Sequence, residues 1–341
     1  MKKLSKAYFH PSAAFTIKPR QVAGYSFSEK KPEVGDVVFG EIVRVGQHGT
    51  LENVSGRIHN THIGSKALFV FGNRYSPDYY EAFIPESIPP YCDLIARSGV
   101  IGVVKTKNAL IKDPTRIKVL GYGLDSQGEV VNTRRFSLIA PRETVKKKNR
   151  AKLVLVVGTA MNAGKSMAAE ACVWALATMG YGVRGSKITG TASLQDILRM
   201  NDAGAERYND FTHLGYPSTY MISEQEVLDV FNKIDLRFAN NARNYWVVEF
   251  ADGILQRETA MLLAHPDVKN RIHRLVFAAH DAFGALGGIR ILEEKYGLAP
   301  DAVSGVCSGS PLHIRELKQF TDIPVFNSAA PDLNELTRIL V

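Results

Sequence analysis

The sequence predicts an α/β protein: a doubly wound parallel sheet over residues 151–341, preceded by a small β-barrel-like domain. Three observations predict it. An apolar run, Leu153-Val154-Leu155-Val156-Val157, leads into a glycine loop and then into a stretch of helical composition at 167–179. Beyond it, apolar strand candidates alternate with helical patterns to the end of the sequence. Before it, short β-type runs broken by turn residues follow one another from Val34 with no long helix between them.

Length and composition set the frame for these elements. At 341 residues the chain suits two domains, each able to bury a core. An apolar content of 45% with 22% charged residues is ordinary for a soluble globular protein. No run of 18 or more apolar residues is present, which excludes a membrane-spanning helix, and the basic start at Lys2 and Lys3 lacks the apolar region of a secretory signal. Cys92, Cys172 and Cys307 are three unpaired-looking thiols that imply neither a disulfide framework nor a zinc site, so a cytoplasmic, reducing location is expected. The formal charge of +8 is unevenly spread: residues 1–150 hold 24 basic and 13 acidic side chains, a net +11, whereas 151–341 hold 18 and 21, a net −3. An anionic partner would therefore dock on the first half, and nucleic acid engaged through residues 33–150 is one such partner.

In chain order, residues 1–32 carry scattered charges, Pro11, Pro19 and Pro32 with little periodicity, and read as an N-terminal arm or an irregular edge. Residues 33–140 form the basic β-rich domain, an antiparallel barrel or sandwich of OB or similar type, with runs at 37–45, 56–58, 67–71, 99–104 and 116–120. His48, His59 and His62 fall there without accompanying Cys or carboxylate clusters and are expected as solvated loop histidines. The stretch 72–80 interleaves Tyr75, Tyr79 and Tyr80 with Arg74, as base-stacking surfaces do and as packed rim loops also do. The charged residues 141–150 mark a linker. From there strands are predicted at 153–157, 183–188, 245–250, 274–279, 302–307 and 323–326. Helices are predicted at 166–179, 193–203, 223–240, 254–264, 285–297 and 311–320, the third opening with a Ser223/Glu226 capping box.

The glycine loop reads Gly158-Thr159-Ala160-Met161-Asn162-Ala163-Gly164-Lys165-Ser166. Backbone amides of such a P-loop, with the positive end of the next helix, form a nest for phosphate oxygens. Thr159, Asn162, Ala163, Gly164, Lys165, Ser166 and Met167 are the candidate nucleotide contacts. Lys165 is placed to reach the β- and γ-phosphates and Ser166 to hold Mg²⁺. The spacing departs from the strict G-x-x-x-x-G-K-[ST] pattern, because Thr159 stands where the first Gly belongs. Three strand ends surround the loop. Lys187, Thr189 and Gly190 are candidate substrate ligands; Glu249 is a candidate Mg²⁺ ligand, with Asp196 or Asp202 as supplement; Ser308 and Pro311 are candidates for holding the nucleobase. Cys307 beside them reads as a small buried hydrophobe, and His213 as a candidate general base.

The loop resembles the G-T-x-x-x-x-G-K-[ST] segment of dethiobiotin synthetase and the cobyric and cobyrinic acid amide synthetases, and Lys187-Ile188-Thr189-Gly190 and Val247-Val248-Glu249 with Gly253 are similar to that family's substrate and Mg²⁺ strand ends. The resemblance covers 151 to about 330. It implies transfer of the ATP γ-phosphate to a carboxylate-type acceptor, catalysis by Lys165, Lys187 and Glu249, and a homodimer. The expectation is thus a Mg²⁺- and ATP-dependent ligase or small-molecule kinase. The alternative is a nucleotide-gated binding module, a slow ATPase whose basic β-domain engages nucleic acid or a protein partner.

Overall fold

The structure, a computed structural model, describes residues 1–4, 7–140 and 150–341. Residues 141–149 of the expected linker lie outside the described residues. The chain divides into two compact units.

Unit one comprises Met1–Ala140 together with Thr191–Gln195 and Phe211–Met221. Its strands are β1 (Gly24–Ser26), β2 (Val37–Arg44), β3 (Thr50–Glu52), β4 (Ile58–Asn60), β5 (Lys66–Phe71), β6 (Arg74–Tyr75), β7 (Tyr80–Phe83), β8 (Tyr91–Leu94), β9 (Val100–Lys107) and β10 (Thr115–Leu124). β2 pairs β5, β5 pairs β9, β9 pairs β8, β8 pairs β10 and β10 pairs β2, so five strands close into a ring. Inward residues alternate along the strands: Val38 and Ile42, Phe69 and Phe71, Ile117 and Val119 meet in one core cluster. The ring is not all antiparallel as expected, because β9 returns alongside β5 in parallel after the β6–β7 excursion. Of the two readings of residues 1–32, the edge fits better than the arm. β1 pairs β10, and Ala13, Ala14, Ile17 and Val22 are buried. These residues lie on or beside two short 3₁₀ turns, whose spacing matches neither helix nor strand periodicity.

The aromatic stretch is mostly interior. Arg74 and Tyr80 are buried, and Tyr75 is the exposed aromatic of the three. His48 is not a solvated loop histidine: its Nε2 faces Arg74 Nη1 at 3.0 Å and its ring packs on Tyr79 and Tyr80. Burial, followed by the neighbouring Arg74 charge, lowers its pKa to about 3. His59 is half-buried against Asn53, and His62 is exposed.

Unit two comprises Pro141–Gly190, Asp196–Asp210 and Ile222–Val341. Its strands are β11 (Lys152–Gly158), β12 (Val183–Lys187), β13 (Arg207–Asp210), β14 (Tyr245–Glu249), β15 (Ile272–Ala278) and β16 (Ala302–Ser304). Its helices are α1 (Lys165–Thr178), α2 (Leu194–Asp202, of which Asp196 onward belongs to this unit), α3 (Glu224–Phe238), α4 (Arg257–Ala264), α5 (Pro266–Lys269), α6 (Ala282–Ile291), α7 (Pro311–Leu317) and α8 (Leu333–Leu340). The six strands run in the order β13-β12-β14-β11-β15-β16 with every pair parallel. Burial on both faces explains why β11 and β14 read as continuous apolar runs. The predicted strand at 323–326 reduces to a bridge between Val303 and Val325, and Arg207–Asp210 supplies the edge strand instead. Arg207, Asn209 and Asp210 make that strand polar, which hid it from a hydrophobic pattern. The α3 capping box is formed, with the Ser223 hydroxyl accepting from Glu226 N. Among the described residues no helix is long and apolar enough to cross a membrane.

Candidate functional site

The site lies at the carboxyl rim of the six-stranded sheet. Parallel register sets Lys187 beside Glu249, Glu249 beside Val156, and Gly158 beside Ala278. Side chains from separate strands are thereby brought to one rim, where ligands of doubly wound sheets bind.

Between β11 and α1 the backbone passes through positive φ at Asn162 (60°) and at Gly164 (94°). Gly164 needs its missing side chain twice, since a Cβ there would also stand 2.7 Å from Gly305 Cα. Gly305 is as constrained: its φ is +97°, a Cβ would meet Ala279 N at 2.8 Å, and the next amide, Val306 N, donates to Ala163 O at 3.1 Å. On the other flank Ile254 N donates to Gly158 O at 2.9 Å. The loop is clamped from the ends of β14 and β16, while the first-turn amides of α1 have no intrahelical acceptors and remain suited to an anion.

Lys165 is buried and its Nζ donates to Ala160 O at 2.7 Å, so the side chain curls over its own loop. Burial lowers its pKa, opposed by the charges of Glu249 and Asp252. Ser166 Oγ donates to Glu249 Oε1 at 3.2 Å, and Lys187 Nζ stands 3.6 Å from the same oxygen. Lys187 makes its tighter pair with Asp196 Oδ2 at 2.5 Å. Burial disfavours the charge on Lys187, but Asp196 and Glu249 outweigh it and hold its pKa above the ordinary lysine value. Glu249 is 1% exposed, and its Oε2 has no hydrogen-bond partner among the described residues. A buried carboxylate oxygen of this kind is costly unless a ligand completes it.

These features fit a nucleotide with Mg²⁺. Ser166 and the open Glu249 oxygen would hold the ion, and Lys165 with the α1 amides the phosphates. Among the described residues no group of three or more His, Cys, Asp or Glu forms a metal cage. Two protein oxygens suit an ion that keeps most of its water shell and binds substrate phosphates.

The other predicted residues each have a defined place. Thr189 is fully buried; its hydroxyl donates to Ala251 O at 2.6 Å and accepts from Ala251 N at 2.9 Å, tying the end of β12 to the segment after β14. Gly190 adopts φ +131° beside Lys187 Cε. Asp196 is engaged by Lys187, and Asp202 is exposed at the end of α2. Ser308 is buried, its hydroxyl donating to Gly305 O at 2.7 Å; Pro311 is exposed at the first position of α7, and Met167 is exposed in the first turn of α1. Cys307 is buried. His213 belongs to unit one, where its ring packs edge-on against Phe15 at 4.9 Å. Gly305, Asp252 and His280, whose Nδ1 lies 3.3 Å from Thr159 Oγ1, were not among the candidate ligands. Asp252 was legible as an acid at a strand end before a glycine; Gly305 carries no local signal, because its constraint comes from a loop more than a hundred residues away in sequence.

No family model and no curated protein matches the chain. Among solved structures it is similar to the signal recognition particle receptor FtsY of Elizabethkingia anophelis. The complex of that receptor with GDP has 10% identity and a TM-score of 0.38 over 63% of this chain and 74% of the receptor. A second structure of the receptor has 13% identity and a TM-score of 0.35 over 61% and 71%. Neither is a dethiobiotin synthetase or a cobyric or cobyrinic acid amide synthetase. The family resemblance read from the loop is corrected accordingly: a glycine loop constrained by phosphate geometry recurs across families and does not by itself assign one.

Proposed function

We propose that unit two is a Mg²⁺-dependent nucleoside-triphosphate switch that hydrolyses its nucleotide slowly, within a protein whose basic first half engages an anionic partner. The observation that carries this reading is the open, buried oxygen of Glu249 beside Ser166 at the foot of a clamped glycine loop. Lys165 would leave Ala160 O for the phosphate oxygens, exchanging a carbonyl for a charged acceptor, and the α1 amides would hold the same group. Bound Mg²⁺ would neutralise charge on the phosphates, and the rest of the work is positioning. With Lys187 paired to Asp196 and Glu249, and Thr189 spent on Ala251, water is favoured over a carboxylate as recipient of the phosphoryl group.

The test is equilibrium binding of fluorescent ATP and GTP analogues in Mg²⁺, followed by release of γ-labelled phosphate. Binding lost by roughly 10- to 100-fold in Lys165→Ala, the value of a charge-assisted contact or two, with label passing to water, is expected. Equal binding by wild type and Lys165→Ala would refute the reading, and label appearing in a small molecule from a metabolite extract would convert it to a transferase.

A further inference from the structure

We infer that Lys187 is a resident counter-cation for Glu249, occupying that carboxylate when Mg²⁺ is away and yielding it, towards Asp196, when the ion binds. The inference rests on the reading of unit two as a Mg²⁺–nucleotide module and adds a residue that competes with the metal.

Four observations support it. Glu249 is 1% exposed, yet among the described residues its side-chain hydrogen bond is the one from the Ser166 hydroxyl at 3.2 Å, and a hydroxyl carries no charge to balance an anion. Among the described residues, the ammonium within ion-pairing distance of Glu249 is Lys187, at 3.6 Å. That separation is looser than the 2.5 Å pair Lys187 makes with Asp196, so the lysine already has a second carboxylate to fall back on. Finally, Lys187 and Glu249 are register partners on adjacent parallel strands, which fixes their neighbourhood by the sheet rather than by a loop. Two cations cannot share one buried carboxylate without mutual repulsion in a medium that screens poorly. Binding of the metal and withdrawal of Lys187 are therefore linked, and each weakens the other reciprocally.

The linkage predicts opposite signs for two substitutions. Lys187→Met removes the cation ion-paired with Glu249 and strengthens divalent binding. Asp196→Asn removes the alternative partner, holds Lys187 on Glu249 and weakens it. Mn²⁺ serves as the probe, titrated without nucleotide and followed by the loss of its free-ion electron paramagnetic resonance signal, on the full chain. The expected shifts are about tenfold tighter for Lys187→Met and several-fold weaker for Asp196→Asn, tenfold being about 1.4 kcal/mol. A purely structural role would move both variants the same way. Shifts of the same sign, no shift, or no Mn²⁺ binding by any form overturn the inference. If Lys187→Met fails to fold, Lys187→Gln takes its place in the pair, and the two signs are compared as before. Absence of nucleotide binding by wild type would sink the module reading while leaving the Mn²⁺ shifts to be judged separately.

Discussion

Asp235 and Glu249 are buried acids in the same unit, one near the amino edge of the parallel sheet and the other at its carboxyl edge. Asp235, on α3, meets Arg271 through both oxygens, at 3.0 and 3.2 Å, and is ion-paired with Arg150 at 2.5 Å. Arg271 in turn donates to Ala151 O at 3.1 Å, just before β11 begins. Unit one repeats the pattern in Asp36, which is held by Lys30, Asn132 and the amide of Glu33. Glu249 has one oxygen engaged and one open. Both Asp235 oxygens are engaged within the fold, whereas one Glu249 oxygen is left for a ligand to complete. A buried ion network alone is thus weak evidence for a site; the informative feature is the valence left over.

Breaking the Asp235 set should cost most. Asp235→Ala strands Arg271 and Arg150 and should lower stability by about 3–5 kcal/mol, read as the urea midpoint, while the nucleotide affinity of the folded protein stays unchanged. A change in affinity would mean the two edges are coupled. Gly305→Ala comes next. It forces a side chain into a glycine-only backbone region and against the loop, at about 3 kcal/mol, and should remove nucleotide binding without touching a predicted ligand.

Acid sensitivity gives a graded test in unit one. His48 has its pKa lowered to about 3 in the folded protein, against the ordinary 6.5. Between those values the unfolded chain takes up a proton that the folded one refuses, so stability falls as pH drops from about 6.5 towards 3, by at most about 1.4 kcal/mol per pH unit. In His48→Gln the slope of stability against pH should be shallower over that window; an unaltered slope would show that other groups set it. The smallest change in stability is expected at Glu249→Gln, within about 1 kcal/mol of wild type because the carboxylate charge there is only partly compensated. Its Mg²⁺-dependent nucleotide binding should nonetheless fall, and a large stability loss would place Glu249 with Asp235 instead.

Much of this could be read from the residues in order. The apolar run into Gly158, the capping box at Ser223 and Glu226, and Glu249 at the end of a buried strand are local patterns with local causes. What escaped was set by distant pairing. Arg207–Asp210 is a strand because β12 offers it a partner, and its polar residues hide it. Thr189 looks like a ligand and is a clasp on Ala251; Lys187 looks like a free cation and already faces two carboxylates. Chemistry-bearing residue types identify candidates, but only their partners tell which valences are spent. The basic excess before residue 150 was plain, whereas the burial of Arg74 and Tyr80 within the aromatic stretch was not.

Unit one does not end where its strands do. Ala192 packs in a core cluster with Ala13, Val70 and Val100, the buried Glu52 accepts the amides of Leu194 and Gln195 at 2.9 and 3.1 Å, and Thr133 Oγ1 donates to Gly215 O at 2.6 Å. During synthesis the first 140 residues therefore emerge with a carboxylate already destined for the interior and its amide partners still to be translated. The unit can reach its final form only after residue 221 has left the ribosome, by which time β11, α1 and β12 of the other unit are already available. A gene fragment cut at the apparent boundary would encode a β-ring beside which the buried Glu52 keeps the Ser12 hydroxyl but lacks the amides of Leu194 and Gln195, and separating the halves for study would require grafting 191–195 and 211–221 rather than choosing a better stop codon.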